Sequence, residues 1–359
     1  MKKASAWLVA VVLGALAPAT NAARADWKAE HDAGWSAFKE GRLVEAERRL
    51  RAAEKEARAF GEADPRLAVT LDHLAWVLCS EGKGGEAERL AKSALAIREK
   101  AYGKEHADVQ KSVNTLACVL DMQGKPADAR PYYERSLALA EKLAGKDDPS
   151  VAAALDNLAT VDHVIGRNAE AEAEYRRALA IREKAAGANP LDLAPTAYNL
   201  GALYLDEGKY AEAEPLLKRA LAVREQALGG EHPDVATSLE ALGWLYAKRG
   251  RHAEAEPLLK RALSIFEQAL GPDHPHVARC CAKMAHACCE QGKNREAESC
   301  CKQALSIYEK APGADPSGFA KALEEYAAVL RKTNRAGEAE KLEARAKAIR
   351  EGHGGPSKP

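Results

Sequence analysis

AYNLGALYLDEGKYAEAEPLLKRALAVRE, residues 197–225, decides the fold of this chain. Gly208 divides it into two runs whose apolar residues recur at helical spacing. In the second run Leu216, Leu217, Ala220, Leu221 and Val223 make one apolar stripe, which predicts an amphipathic helix. A glycine between two such runs is what a helix end requires when its backbone turns left-handed. The stretch therefore reads as helix, tight turn, helix.

Working outward, the same turn recurs every 42 residues. Gly82, Gly124, Gly166, Gly208, Gly250 and Gly292 are in register, Asn334 takes the seventh place, and Gly41 marks a shorter unit before them. Alanine stands five places after every turn, at 87, 129, 171, 213, 255, 297 and 339. Seven before it stand Ala75, Ala117, Ala159, Gly201, Gly243, Ala285 and Ala327. Small residues at both places let two antiparallel helices approach closely. Leu71, Leu74 and Leu78 recur as Leu239, Leu242 and Tyr246 on the first helix. The second helix is expected to begin near its Glu-Ala-Glu segment, with Glu214–Lys218, Glu256–Lys260 and Glu298–Lys302 as favourable i, i+4 pairs. Pro131, Pro215 and Pro257 would then fall in first turns, where proline is tolerated. A second glycine series (103, 145, 187, 229, 271, 313) ends this helix. Linkers such as His232-Pro233-Asp234 and Asp148-Pro149-Ser150 follow, whose Asp or Ser can cap the next helix.

Composition agrees. The 359 residues are 47% hydrophobic and 30% charged, rich in helix formers, with only 5% aromatics. Fifty-three basic residues balance 53 acidic ones, so nucleic acid is not an expected partner. The first 25 residues read as a signal peptide: Lys2 and Lys3, the 11-residue apolar run Trp7 to Ala17, then Ala23-Arg24-Ala25 or Thr20-Asn21-Ala22 as cleavage sites. The run is too short to span a bilayer. Removing this segment takes Lys2, Lys3 and Arg24 and leaves a mildly acidic, exported chain, periplasmic or secreted, with no integral membrane segment. The expected organisation is a leader at 1–25, a partial helix pair at 26–63, and seven units at 64–105, 106–147, 148–189, 190–231, 232–273, 274–315 and 316–350. A tail, 351–359, is expected to be disordered.

Residues 197–225 and 239–267 resemble the tetratricopeptide repeat (TPR) in its 42-residue, kinesin-light-chain-like form: a Leu-x-x-Leu-Ala-x-x-Tyr helix, Gly, then a Glu-Ala-Glu helix ending in Arg-Ala-Leu-x-Ile-x-Glu. The resemblance covers residue 64 to about 350. It implies an all-α, right-handed superhelix, an α-solenoid of antiparallel helix pairs, whose first helices line a concave groove. Groove positions carried over from the family are Trp76, Asn114, Asn157, Tyr198, Asn199, Trp244, Arg279 and Lys283. Asn157 and Asn199 stand where family members hold a peptide backbone, or each bonds a neighbouring repeat. Trp76 and Trp244 are apolar anchors, or pack between repeats. Arg279 and Lys283 match the places of a carboxylate clamp, although Ala241 departs from the asparagine that such a clamp needs.

Six of the eight cysteines fall in the sixth unit, as Cys280-Cys281, Cys288-Cys289 and Cys300-Cys301. Cys281, Cys288, Cys300 and Cys301 align with core leucines or a tyrosine of other units and read as small apolar residues. Cys281 and Cys301 face each other across the helix pair and are the candidate disulfide in an oxidising compartment. A metal site has no supporting spacing. No catalytic motif is present. His106, His232 and His274, and Glu99 through Glu351 at one place per unit, follow the repeat and read as architecture, the glutamates as a solvated or inter-repeat charge row. The function implied is a non-enzymatic scaffold without cofactor that binds a protein or peptide in its groove. The alternatives are a redox- or metal-responsive protein built on the sixth unit, and an accessory subunit of an exported or envelope complex.

Overall fold

The computed structural model describes residues 21–185, 189–310 and 315–352. The expected leader through residue 20, the linker glycines Gly187 and Gly313, and the expected tail from 353 lie outside the described residues. Among the described residues there are sixteen α-helices and no strand. The chain divides into two compact units, one ending at Gly166 and the other beginning at Arg167.

The first unit holds α1 (Asn21–Lys39), α2 (Leu43–Arg58), α3 (Pro65–Ser80), α4 (Gly84–Tyr102), α5 (Ala107–Met122), α6 (Pro126–Ala144) and α7 (Pro149–Val164). The second holds α8 (Asn168–Lys184), α9 (Leu193–Asp206), α10 (Tyr210–Leu228), α11 (Pro233–Lys248), α12 (His252–Leu270), α13 (Pro275–Glu290), α14 (Asn294–Lys310), α15 (Pro316–Lys332) and α16 (Ala336–Arg350). Within each unit consecutive helices pack in sequence order, each pair against the next, as in an α-solenoid. α1 runs through both candidate leader cleavage sites.

The turns obey the glycine reading. Gly208 and Gly250 both sit at φ +74°, and Asn334, the substitute, at +61°. Every alanine five places after the turn is fully buried. At Gly243 a β-carbon would stand 2.8 Å from Leu259 Cγ and 3.3 Å from the Ala255 carbonyl, so this contact admits no side chain without displacement. Gly34, seven before Gly41, meets Leu50 in the same way. Ala213→Leu is accordingly expected to overpack the α9–α10 pair and cost about 1–3 kcal/mol. An unchanged melting curve would remove Ala213 from that contact.

Two local expectations are corrected. The second helices begin four residues before Glu214 and Glu256, at Tyr210 and His252, so Pro131, Pro215 and Pro257 lie inside their helices, at the sixth position. Each removes one backbone hydrogen bond. The helix begins early because the left-handed turn leaves the next residue, Lys209 for example, as cap: its carbonyl already accepts from Ala213 N–H at 3.1 Å. In the His-Pro-Asp linker, the cap is the histidine and not the aspartate. His106, His232 and His274 accept through Nδ1 from the backbone N–H two residues on, at 3.1, 3.1 and 3.2 Å. Asp64 and Asp148 do the same where the linker carries aspartate.

The glutamate row links repeats. Glu99 pairs with Arg135, Glu183 with Arg219, Glu225 with Arg261 and Glu309 with Arg345, each partner 36 residues on. A second row joins Glu88 to Lys125, Glu172 to Lys209 and Glu298 to Arg335. These pairs are largely solvated, so water and salt screen them and each adds little to stability. The i, i+4 pairs at 214, 256 and 298 form at 2.7, 2.6 and 2.9 Å.

Candidate functional site

In the first unit the groove positions are partly consumed by the fold. Asn157 Nδ2 donates to Asn114 Oδ1 at 2.9 Å, and Asn114 Nδ2 contacts Cys118 Sγ at 3.7 Å. Asn157 thus bonds the preceding repeat, the architectural alternative. Trp76 on α3 is half-buried.

In the second unit the first helices enclose a cleft of about 510 Å³. Four of the groove residues expected from sequence, Tyr198, Trp244, Arg279 and Lys283, line it. Asn199 does not, although its amide carries no hydrogen bond among the described residues. Glu324 and Glu325, ten and nine before the seventh turn in the groove register, line it too, and so do Lys248, Lys321 and Arg350, which were not singled out from sequence.

One substitution explains its electrostatics. Arg98, Arg182, Arg224 and Arg350 stand sixteen residues after the turn in four of the seven units, and Arg98, Arg224 and Arg350 fold back to the groove residue 26 earlier. Arg98 reaches Asp72 at 2.6 Å, Arg224 lies 4.9 Å from the Tyr198 ring centroid, and Arg350 reaches Glu324 at 2.8 Å. In the fifth unit this place is Phe266, so Glu240 lacks the equivalent arginine. Its side chain is only 2% exposed. Arg279 and Lys283 of the next unit take over: Arg279 grips both carboxylate oxygens at 2.8 Å, and Lys283 reaches one at 3.0 Å. Burial would raise Glu240, but these two cations outweigh it and hold the carboxyl down at about 2. Arg279 and Lys283 therefore face the cleft with part of their charge already spent on Glu240. A carboxylate clamp in which both cations are free is not what this geometry presents. Comparing Arg98, Arg224 and Phe266 in register is the signal that would have found this.

Trp244 forms the apolar wall. The Lys248 ammonium lies 4.2 Å from its ring centroid, and the His286 ring meets it edge-on at 5.1 Å. His286 Nδ1 is in turn 3.1 Å from Glu325 Oε2. The indole is thereby oriented before anything binds. The Tyr198 hydroxyl has no protein partner among the described residues, and burial pushes its phenol up to about 12. It is a neutral donor and acceptor at the cleft. Lys321 has no ion-pair partner among the described residues. The formal charges lining the cleft, with Glu240 beneath, balance, so the site offers an aromatic surface set among both signs of charge.

All eight cysteines are free thiols, Cys281 and Cys301 included. Burial pushes the thiols of Cys281, Cys288 and Cys301 up, Cys288 to about 11, which leaves little thiolate for oxidation or metal binding. Among the described residues no group of three or more His, Cys, Asp or Glu is arranged to hold a metal ion. Iodoacetamide is expected to label at most the half-buried Cys118 and Cys300 in the native protein and all eight thiols after unfolding. Fewer than eight adducts in unreduced denaturant would reveal a disulfide.

The family profile described as tetratricopeptide repeat matches residues 77–142, 108–184, 192–268, 245–310 and 278–352, more than half of the chain. No curated protein matches it. A putative kinesin light chain of Podospora anserina with nearly identical TPR-like repeats is 25% identical, with 57% of this chain and 97% of that chain covered and a TM-score of 0.50. BtubC (BKLC) from P. vanneervenii is 22% identical over 65% of this chain and 94% of that one, with a TM-score of 0.53. The apo form of the quorum sensor NprR from B. thuringiensis is only 14% identical, yet covers 90% of this chain and 87% of its own with a TM-score of 0.68. The last two likenesses concern the fold.

Proposed function

Because the chain belongs to the tetratricopeptide repeat family, a fold that generally serves as a non-catalytic scaffold for protein–protein interaction, we propose that this protein holds a peptide segment of a partner in the cleft of its second unit. The observation that carries the reading is Trp244. It is a half-buried indole in a cleft of about 510 Å³, fixed by His286 and Lys248 and flanked by the unpartnered Tyr198 hydroxyl and Lys321. An oriented aromatic surrounded by polar groups is how binding sites anchor a segment at low entropic cost. Binding without catalysis is the part proposed for this chain. We also propose that the protein acts after export, on the strength of the basic, apolar and small-residue pattern of its first 25 residues.

The test is selection from a random peptide display library against the full chain. Enrichment of a shared peptide pattern, competed by substitution of Trp244 and unaffected by substitution of Trp76, is the expected result. Recovery of no pattern, or of peptides indifferent to Trp244, would discard the reading.

A further inference from the structure

The first unit holds a feature that peptide binding does not use. Counted back from Gly41, Trp35 stands six before the turn, the register of Trp76 and Trp244, and His31 ten before, the register of Asp72. With Trp27 on α1 and His73 on α3 they form one continuous ring stack. Trp27 lies on His31 at 5.3 Å and 27°, His31 on His73 at 4.8 Å and 21°, and His73 on Trp35 at 3.9 Å and 11°. His31 Nε2 and His73 Nδ1 are both buried without a hydrogen-bond partner. A neutral imidazole needs to satisfy one donor and one acceptor; an imidazolium must satisfy two donors and a charge. The stack can hold the neutral ring, whose bare nitrogen is an unfilled acceptor, but has no acceptor for a further proton on it.

We propose that this stack is an acid-sensitive latch, in which protonation of His73 releases the helix pair α1–α2 from α3. The charged groups around the ring work in that direction. On α1 they are His31, Asp32 and Lys39; on α3, the adjoining Asp72; on α4, Arg98. Asp32 is the one favouring the cation, and it is already bonded to Lys28 and to His31 Nδ1. Arg98 is bonded to Asp72. α2 directs Arg49 to Glu30, and α5 directs Asp108 to Lys111. The Trp35 face attracts a cation, but it already carries the Lys39 ammonium at 5.9 Å. The polar ties of α1–α2 to α3–α4, the Trp27 Nε1 bond to Thr70 at 3.0 Å and the Lys83–Glu47 and Arg51–Glu86 pairs, do not involve an imidazole, nor does the buried apolar cluster that Leu50 and Ala57 share with Leu67 and Leu71.

The sign follows from the burial of His73. Burial first, then His31, Arg98 and Lys39, hold its imidazole down at about 3, against an ordinary value of 6.5. The open form takes up the proton first. Closure is therefore fully favoured above about pH 6.5 and is lost as pH falls toward about 3, by up to about tenfold in the closed-to-open ratio per pH unit. Asp72, pushed up to about 6 by burial despite Arg98, acts in the opposite sense as pH falls. Comparing His73→Phe with wild type cancels that contribution, because phenylalanine keeps the stack and removes the proton site.

The experiment is backbone hydrogen exchange of the full chain by mass spectrometry, corrected for intrinsic rates, between about pH 7 and about pH 5. Relative to α5 and α6, exchange in α1 and α2 is expected to rise about 25-fold more in wild type than in His73→Phe. The His73→Phe profile carries the contribution of Asp72 and every other group but His73; His73→Leu, equally without a proton site at residue 73, serves if the phenylalanine variant does not fold. Equal profiles in wild type and variant, or a parallel rise in α5 and α6, would each overturn the latch.

Discussion

Replacing Asp72 by alanine is expected to destabilise the first unit by about 3–5 kcal/mol. Asp72 and Arg98 are almost fully enclosed, with 6% and 5% of their side chains exposed. Arg98 Nη1 sits 2.6 Å from Asp72 Oδ2, 2.8 Å from Ser112 Oγ and 3.0 Å from the Asp108 carbonyl. The Ser112 hydroxyl also donates to Asp72 at 2.8 Å. Burial pushes the Asp72 carboxyl up to about 6 in spite of the guanidinium, as expected where desolvation offsets most of the attraction within the pair. Breaking it is another matter. Alanine leaves a buried guanidinium with one hydroxyl and one carbonyl, and no counter-charge. Urea denaturation followed by circular dichroism should show the loss. Asp72→Asn, which keeps an acceptor, should lose less, and Asp72→Ala with Arg98→Met should recover most of the stability. A single alanine variant within about 1 kcal/mol of wild type would mean that water reaches Arg98.

The second large effect concerns binding. Trp244→Ala is expected to weaken the affinity for a selected peptide by about 30-fold or more, which corresponds to roughly 2 kcal/mol. The indole is the largest apolar group in the cleft, and its orientation is supplied by His286 and Lys248 before the peptide arrives. Little ordering cost is then left for binding. Trp244→Phe should retain part of the affinity, since the ring still meets His286. Trp76→Ala, in the first unit, should leave it unchanged. Titration calorimetry of the three variants separates these cases. Equal affinity for wild type and Trp244→Ala would place the anchor elsewhere.

Helix pairing was legible in the chain because its causes are local. A glycine every 42 residues marks the left-handed turn, since few other residues adopt that backbone cheaply. Alanine or glycine at two fixed distances from it marks the close contact, and the apolar stripes mark the buried faces. Helix starts were less legible. The residue that caps a helix depends on the exact dihedral at the turn, and the histidine of the linker competes with the nearby aspartate for the same N–H.

By itself, then, the sequence determined the repeat, the turn residues and the helix-pair contacts, while the family resemblance supplied candidate groove positions. Only the tertiary structure decided which of those positions remain available. Asn157 is taken by Asn114, 43 residues away. Arg279 and Lys283 are drawn to Glu240 because Phe266 replaces the arginine that serves the equivalent place in other units. His31 and His73 close into one stack with two tryptophans. Turns and faces follow from preferences acting over four or five residues of chain. The choice of partner for a buried charge or ring is a competition between groups brought together by packing, and a register alone does not say which group wins.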